Sequence, residues 1–134
     1  MDTNVVLDVV LEREPFVETA NTLFALIEAG RLQGYITATT ITNIFYIVRK
    51  LKGREVALEA IAKLLRGMVL CSVTHQVIQL ALTLSLDDFE DGVQLACAAS
   101  EALDAIVTRD QNDFQEAGFT VLSAADLVMQ LTSE

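Results

Sequence analysis

The chain has 134 residues, of which 52% are hydrophobic, and its 19 acidic and 9 basic side chains give a net charge of −10. This length and composition predict a single domain over residues 1–134 with a full apolar core, and no linker, repeat or shift in composition divides it. The charge argues against non-specific binding to nucleic acid, because the long-range field of the protein repels phosphate.

Neither a membrane anchor nor a signal peptide is predicted. No apolar stretch reaches the roughly 18 uninterrupted residues that a membrane helix needs. The N-terminus has no basic region and no cleavage site. Cys71 and Cys97 are isolated and lack metal-type spacing, so they are interpreted as buried thiols of a cytoplasmic protein in a reducing compartment.

Hydrophobic spacing and capping residues predict helices that alternate with strands. The apolar run at 5–11 places Asp8 on the first helix. Further helices are expected at 16–29, at 55–65, at 90–101, from a cap at Thr74 to about 86, and after a cap at Ser123. One more helix is expected to begin at a cap at Thr39, Thr40 or Thr42 and to end at about 51. Strands are expected at 35–37, 68–73, 105–108 and 119–122, the second of them buried. This alternation predicts an α/β fold with a central, mostly parallel sheet and helices on both faces.

Four acidic residues lie where such a fold would bring them together. Asp2 is the second residue of the chain, Asp91 lies at the start of a predicted helix, and Asp110 and Asp113 follow a predicted strand. The carboxyl ends of parallel strands meet at one edge of a sheet, so these carboxylates would form a hard-oxygen site. Such a site suits Mg²⁺ or Mn²⁺.

Three segments in this order resemble the motifs of the PIN domain family. They are Asp2-Thr3-Asn4-Val5-Val6-Leu7-Asp8, Asp88-Phe89-Glu90-Asp91 with Gln94 and Ala96, and Ile106-Val107-Thr108-Arg109-Asp110 with Asp113-Phe114. The resemblance covers nearly the whole chain and implies a three-layer PIN-like fold. It is closest to small prokaryotic members of the family, which are often VapC-type toxins paired with an antitoxin.

The resemblance implies a metal-dependent endoribonuclease with an RNA substrate, and a homodimer with an antitoxin partner. Carried onto this chain, the catalytic metal ligands would be Asp2, Asp91, Asp110 and Asp113. The residues that orient these ligands would be Asn4, Thr108 and Asn43. The basic residues Arg49, Lys50 and Lys52 would contact the phosphates of the RNA backbone.

The chain departs from the family pattern in two places. Asn43 stands where the family usually has a Glu; its carbonyl oxygen can still face a hard cation, but it carries no charge. Only Met1 precedes Asp2, so the first strand is expected to be very short, or truncated with the true start upstream. Asp2 would then lie near a flexible α-amino group, and it is a weaker candidate than Asp91 or Asp110.

Other interpretations remain open. Asn43, the short start and the acidic charge are also compatible with a non-catalytic PIN-like interaction protein. A receiver-like signalling domain has less support, because no aspartate follows the strand at 68–73. Each candidate also has a structural interpretation: Asp2 as a surface residue, Asp91 as a charge on a helix dipole that Asp88 and Glu90 could equally complement, and Asp110 with Asp113 as turn residues.

Overall fold

The computed structural model describes residues 1–84 and 86–133, without the side chains of 115–117, and this part of the chain contains seven α-helices and four short strands. The helices are α1 (Thr3–Val10), α2 (Val17–Glu28), α3 (Ala38–Lys52), α4 (Arg54–Gly67), α5 (His75–Thr83), α6 (Phe89–Ser100) and α7 (Ala124–Thr132). The strands are β1 (Tyr35–Thr37), β2 (Val69–Cys71), β3 (Ile106–Val107) and β4 (Val121–Leu122), and a 3₁₀ helix covers Gln111–Ala117.

The strands form two parallel pairs that the N-terminus joins. β1 pairs with β2, and β3 pairs with β4. The Met1 nitrogen donates a hydrogen bond to the Tyr35 carbonyl oxygen at 2.9 Å, and the Asp2 N–H donates to the Val107 carbonyl oxygen at 2.9 Å. The expected parallel α/β arrangement is therefore confirmed, with Met1 and Asp2 in the place of a first strand.

Helices pack on these two strand pairs to form the core. The largest group of buried apolar side chains joins α1, β1, α3 and α4, and it includes Val6, Ile36, Ile44 and Leu64. A second group places Cys71 of β2 against Cys97 of α6, so both thiols are buried as predicted. None of the helices in the described ranges is long and apolar enough to span a bilayer.

The predicted N-cap of α3 was wrong. Thr39, Thr40 and Thr42 all lie inside the helix, and its N-cap is Thr37, whose hydroxyl oxygen accepts a hydrogen bond from the Thr40 N–H at 3.0 Å. Thr37 ends β1 in an extended conformation, so a single residue both closes the strand and caps the helix. The caps expected at Thr74 and Ser123 are confirmed.

The strand predicted to be buried lies at an edge. β2 is limited to three residues, and the side chains of Val69 and Leu70 are 38% and 46% exposed. Within the described residues β2 pairs only with β1. The apolar run therefore predicted the strand correctly, but the predicted burial of the strand was wrong. Whether a strand lies at an edge depends on the whole sheet and not on the sequence of that strand alone.

Candidate functional site

One cleft of about 360 Å³ collects the acidic residues that the sequence singled out. Its walls come from the start of α1, the middle of α3, the start of α6 and the segment after β3. The residues that line it are Asp2, Thr3, Asn4, Asn43, Tyr46, Ile47, Asp88, Glu90, Asp91, Asp110 and Asp113. Six of these eleven carry a carboxylate and none is basic, so the chemistry of the cleft is that of anionic oxygen ligands.

Asp2 is a fixed, buried residue at the base of this cleft. Its side chain is the N-cap of α1, and the residue is 6% exposed. One carboxylate oxygen accepts hydrogen bonds from the Thr3 N–H and from Gln94 Nε2, each at 2.8 Å, and the other accepts from the Thr108 hydroxyl at 2.7 Å. The alternative interpretation of Asp2 as a surface residue is therefore wrong, because the Asp2 backbone and side chain both bond to distant segments.

The acidic residues at the start of α6, which are Asp88, Glu90 and Asp91, have different roles. Asp88 is the N-cap, and its carboxylate accepts hydrogen bonds from the N–H groups of Glu90 at 2.8 Å and Asp91 at 3.3 Å. Asp88 therefore supplies the capping that the sequence left open among these residues. The Asp91 side chain takes no part in the cap and is 8% exposed at the cleft.

The sequence did not identify Glu90 as a candidate for the site. Asp2, Glu90 and Asp91 each offer a carboxylate oxygen, and these three oxygens lie within 4.8 Å of one another. The usable signal was the spacing of Glu90 and Gln94, which are four residues apart and so lie on one face of the helix. Gln94, in turn, contacts Asp2.

Asp110 and Asp113 lie at the rim of the cleft. The Asp110 carboxylate accepts a hydrogen bond from Asn4 Nδ2 at 2.9 Å, and the Asp110 N–H donates to the Thr108 hydroxyl oxygen at 3.0 Å. Asp113 lies in the first turn of the 3₁₀ helix, and its N–H donates to the Asp110 carbonyl oxygen at 3.0 Å. Both residues are exposed, so the structure brings them to the same cleft but outside the three-carboxylate group.

Thr108 and Asn4 connect the acidic residues to one another. The fully buried Thr108 hydroxyl donates to Asp2 and accepts from the Asp110 N–H, so it fixes the relative position of the two residues. Asn4 holds the Asp110 carboxylate. Asn43 is exposed on α3 and lines the opposite wall without a charge.

Ion pairs behind the cleft support its geometry. Asp8 is 2% exposed, and its carboxylate oxygens lie 3.0 Å from Arg13 Nε and 3.2 Å from Arg109 Nε. Arg109 also stacks 4.0 Å above the centre of the Phe16 ring. Asp8 therefore lies on the first helix, as expected, and its contact with Arg109 anchors the segment that leads to Asp110.

The carboxylates of the cleft oppose one another's ionisation. Burial, followed by the charges of Asp88, Asp2, Glu90 and Asp113, raises the pKa of Asp91 to about 7. Burial is also the main cause that raises the pKa of Glu90. Neutral donors such as Gln94 and Thr108 cannot cancel several negative charges, so a bound cation or protons must do so.

The donor set fits a hard divalent cation. Carboxylate and amide oxygens are the ligands that Mg²⁺ and Mn²⁺ prefer, and the described residues that line the cleft include no histidine or cysteine. The Thr3 hydroxyl, at the wall of the cleft, is buried and has no hydrogen-bond partner among the described residues. Such an orphaned oxygen is compatible with an additional polar ligand, an ion or its water, in the cleft.

The predicted RNA-binding residues lie outside the cleft. Arg49, Lys50 and Lys52 occupy the last turn of α3 and are all exposed. They also complement the negative end of the helix dipole. The structure therefore places them on the helix that forms one wall of the cleft, beyond its lining residues.

Comparisons with known proteins bear on the family and the fold of the chain. A family model described as PIN domain matches residues 1–112. No curated protein matches the chain. Among solved structures, the crystal structure of Mycobacterium tuberculosis VapC20, described as a sarcin-ricin loop cleaving toxin, superposes with a TM-score of 0.70 and 17% identity, covering 89% of this chain and 94% of that one. At that identity, the likeness concerns the fold.

Proposed function

The chain belongs to the PIN domain family, and from this premise we propose that it is a metal-dependent endoribonuclease acting at the acidic cleft. The observation that carries the proposal is the meeting of buried Asp2 and Asp91 with Asp110 and Asp113 in one cleft, whose lining among the described residues has no basic side chain. An acidic cleft of this kind repels a phosphodiester unless a cation intervenes.

In this proposal Asp2 and Asp91 hold Mg²⁺ or Mn²⁺, and Asp110 and Asp113 complete the ligand set directly or through water. The bound ion would lower the pKa of a water molecule and neutralise charge at the scissile phosphate. Thr108 keeps Asp2 and Asp110 in a fixed relation through its two hydrogen bonds. Asn4 orients the Asp110 carboxylate, and Asn43 offers a neutral amide from the facing wall.

The basic turn at the end of α3 is proposed to contact RNA phosphates, with Lys50 in the leading position. An α-helix turns about 100° per residue, so Lys50 lies about two turns beyond Asn43 on the same face, roughly 10 Å further along the axis. Arg49 lies about 100° to one side of that face. Lys52 lies about 200° from Lys50, on the face turned away from the cleft.

Replacing Lys50 by Gln should weaken RNA binding more than the same change at Lys52. We expect about a three-fold rise in KM for RNA with Lys50→Gln, because an exposed ionic contact contributes less than about 1 kcal/mol. The dependence of KM on salt should also become shallower. Lys52→Gln is the matched control and should change KM by less than about 1.5-fold. Equal effects of the two substitutions on KM would contradict the proposal that the Lys50 face of α3 contacts RNA.

The test of the proposed function is cleavage of a mixed, structured RNA pool by the purified protein. We expect cutting in Mn²⁺ and in Mg²⁺ and none in EDTA, because the carboxylates alone cannot activate water or neutralise the phosphate. Folding in each buffer is checked by circular dichroism. If the folded protein cleaves RNA in neither Mn²⁺ nor Mg²⁺, the result would favour the alternative function, a non-catalytic PIN-like interaction protein. In that case the replacement of the usual Glu by Asn43 would accompany the loss of activity.

The proposal extends to a toxin role and to partners. VapC20 is described as a toxin, and we propose that this chain is a cytoplasmic toxin held inactive by an antitoxin and active as a homodimer. Large apolar side chains are exposed on α3 and α4, among them Tyr46 and Leu51, each 63% exposed, and Leu65, 50% exposed. Exposed apolar area of this kind favours association. Light scattering that gives a monomer mass at micromolar concentration would contradict the homodimer.

A further inference from the structure

Glu90 shares an oxygen cluster with the two buried acidic residues of the cleft. Its carboxylate, together with those of Asp2 and Asp91, places three oxygens within 4.8 Å of one another. Three ligands that each lie about 2.1 Å from one Mg²⁺ ion are about 3.0 to 3.6 Å from one another. The three oxygens therefore need to approach one another by at most about 1 to 2 Å to coordinate a single ion, a shift that rotation of the carboxylate side chains can supply.

Gln94 holds two of these carboxylates in position. Its Nε2 donates to Asp2 at 2.8 Å and to the two oxygens of Glu90 at 3.1 and 3.2 Å, and the residue is 5% exposed. A side-chain amide has two N–H donors, and here one serves each carboxylate. Because the amide is neutral, it orients the two carboxylates without compensating their charge.

The structure separates a ligand role for Glu90 from a helix-capping role. The N–H groups at the start of α6 already bond to Asp88, including that of Glu90 itself. The Glu90 carboxylate instead accepts hydrogen bonds from Gln94 and lies close to the carboxylate of Asp2. On the facing wall, α3 contributes Asn43, Tyr46 and Ile47, none of which carries a carboxylate. Glu90 is therefore the side chain placed to give the inner cleft a third negative charge.

We propose that Glu90 is a ligand of the divalent cation and that Gln94 is the positioning residue that aligns Glu90 with Asp2 around it. This inference rests on the proposed function, because it assigns further residues to the same ion. Glu90 thereby supplies the carboxylate that α3 lacks at Asn43. Asp2, Glu90 and Asp91 form the inner ligand set, and the more exposed Asp110 and Asp113 form its rim.

The experiment is a Mn²⁺ titration of the purified, metal-free protein by calorimetry, which does not depend on RNA cleavage. Glu90→Gln should raise the Mn²⁺ Kd at least ten-fold, whereas Glu90→Asp, which keeps the charge, should recover part of the affinity. Gln94→Leu removes both orienting donors and should raise Kd about ten-fold, as loss of a group that orients metal ligands does. Glu101→Gln removes the same charge from the far end of α6 and should change Kd by less than two-fold.

Each outcome bears on a different statement. If Glu90→Gln binds Mn²⁺ as the wild type does while Asp91→Asn does not, Glu90 is not a ligand and the proposed function stands. If the wild-type protein binds no Mn²⁺, this inference and the proposed function both fail. Thermal unfolding of every variant in EDTA checks folding, and Glu90→Asp keeps the test decisive if Glu90→Gln does not fold.

Discussion

Asp91→Asn should reduce RNA cleavage by at least about a thousand-fold and leave the protein folded. Asp91 is 8% exposed in the cleft, and in our account it binds the ion that activates the attacking water. A thousand-fold loss corresponds to about 4 kcal/mol of transition-state stabilisation, the order expected when metal and charge stabilisation are removed. The measurement is the initial rate on a labelled RNA in Mn²⁺, with the fold checked by circular dichroism.

The substitution is well matched to the question, because Asn keeps the size of the side chain and removes only its charge. Asp104→Asn is the control, since Asp104 is exposed and lines a different cavity. It should cleave within about two-fold of the wild type, as surface changes away from a site usually have small effects. A variant Asp91→Asn that retained the wild-type rate would show that catalysis takes place elsewhere.

The metal-free protein should lose stability as the pH rises from about 4 to 8. The pKa of Asp91 is raised to about 7 in the folded protein, above its ordinary value of 3.8. The contribution of Asp91 to the free energy of unfolding is therefore fully present below pH 4, where Asp91 is protonated in both the folded and the unfolded state. This contribution is lost as the pH rises through 7. The full shift would amount to about 4 kcal/mol, but water in an open cleft screens the charges, so about 1 to 3 kcal/mol is expected.

Thermal unfolding in EDTA measures this effect. A loss of about 1 kcal/mol lowers Tm by roughly 3 to 6 °C in a domain of this size, so Tm should fall by about 5 °C or more between pH 5 and 8. Asp91→Asn should flatten that dependence and raise Tm at pH 8, because it removes the strained charge. Mn²⁺ should stabilise the wild type at pH 8 more than at pH 5, since protonated carboxylates bind metal poorly. Identical pH dependence in the two proteins would contradict the electrostatic account.

The order of helices and strands and the meeting of the acidic residues could be predicted from the sequence. Apolar runs and caps such as Thr74 and Ser123 are local signals, and parallel strands force Asp91 and Asp110 toward one edge. Asp2 was harder to place because its position depends on hydrogen bonds to Val107, Gln94 and Thr108, which lie about a hundred residues away.

The features that the sequence could not predict depend on how the helices and strands face one another in the folded protein. Asp88, Glu90 and Asp91 are equivalent as acidic residues at a helix start, and only the rotation of α6 toward Asp2 turns Glu90 to the cleft. The edge position of β2 likewise depends on which strands exist to cover it. The two roles of Thr37, at the end of a strand and at the cap of α3, follow from a connection with no intervening loop.

The most direct test of the account is the position of Mn²⁺ in crystals of the protein soaked with that ion, located by its anomalous scattering. We expect a peak roughly 2.0 to 2.3 Å from carboxylate oxygens of Asp2 and Asp91, with Glu90 as the next ligand. The same soak of Asp91→Asn should lose the peak. A strong peak away from the cleft, or none in crystals of a protein that cleaves RNA, would contradict the assignment of this cleft as the metal centre.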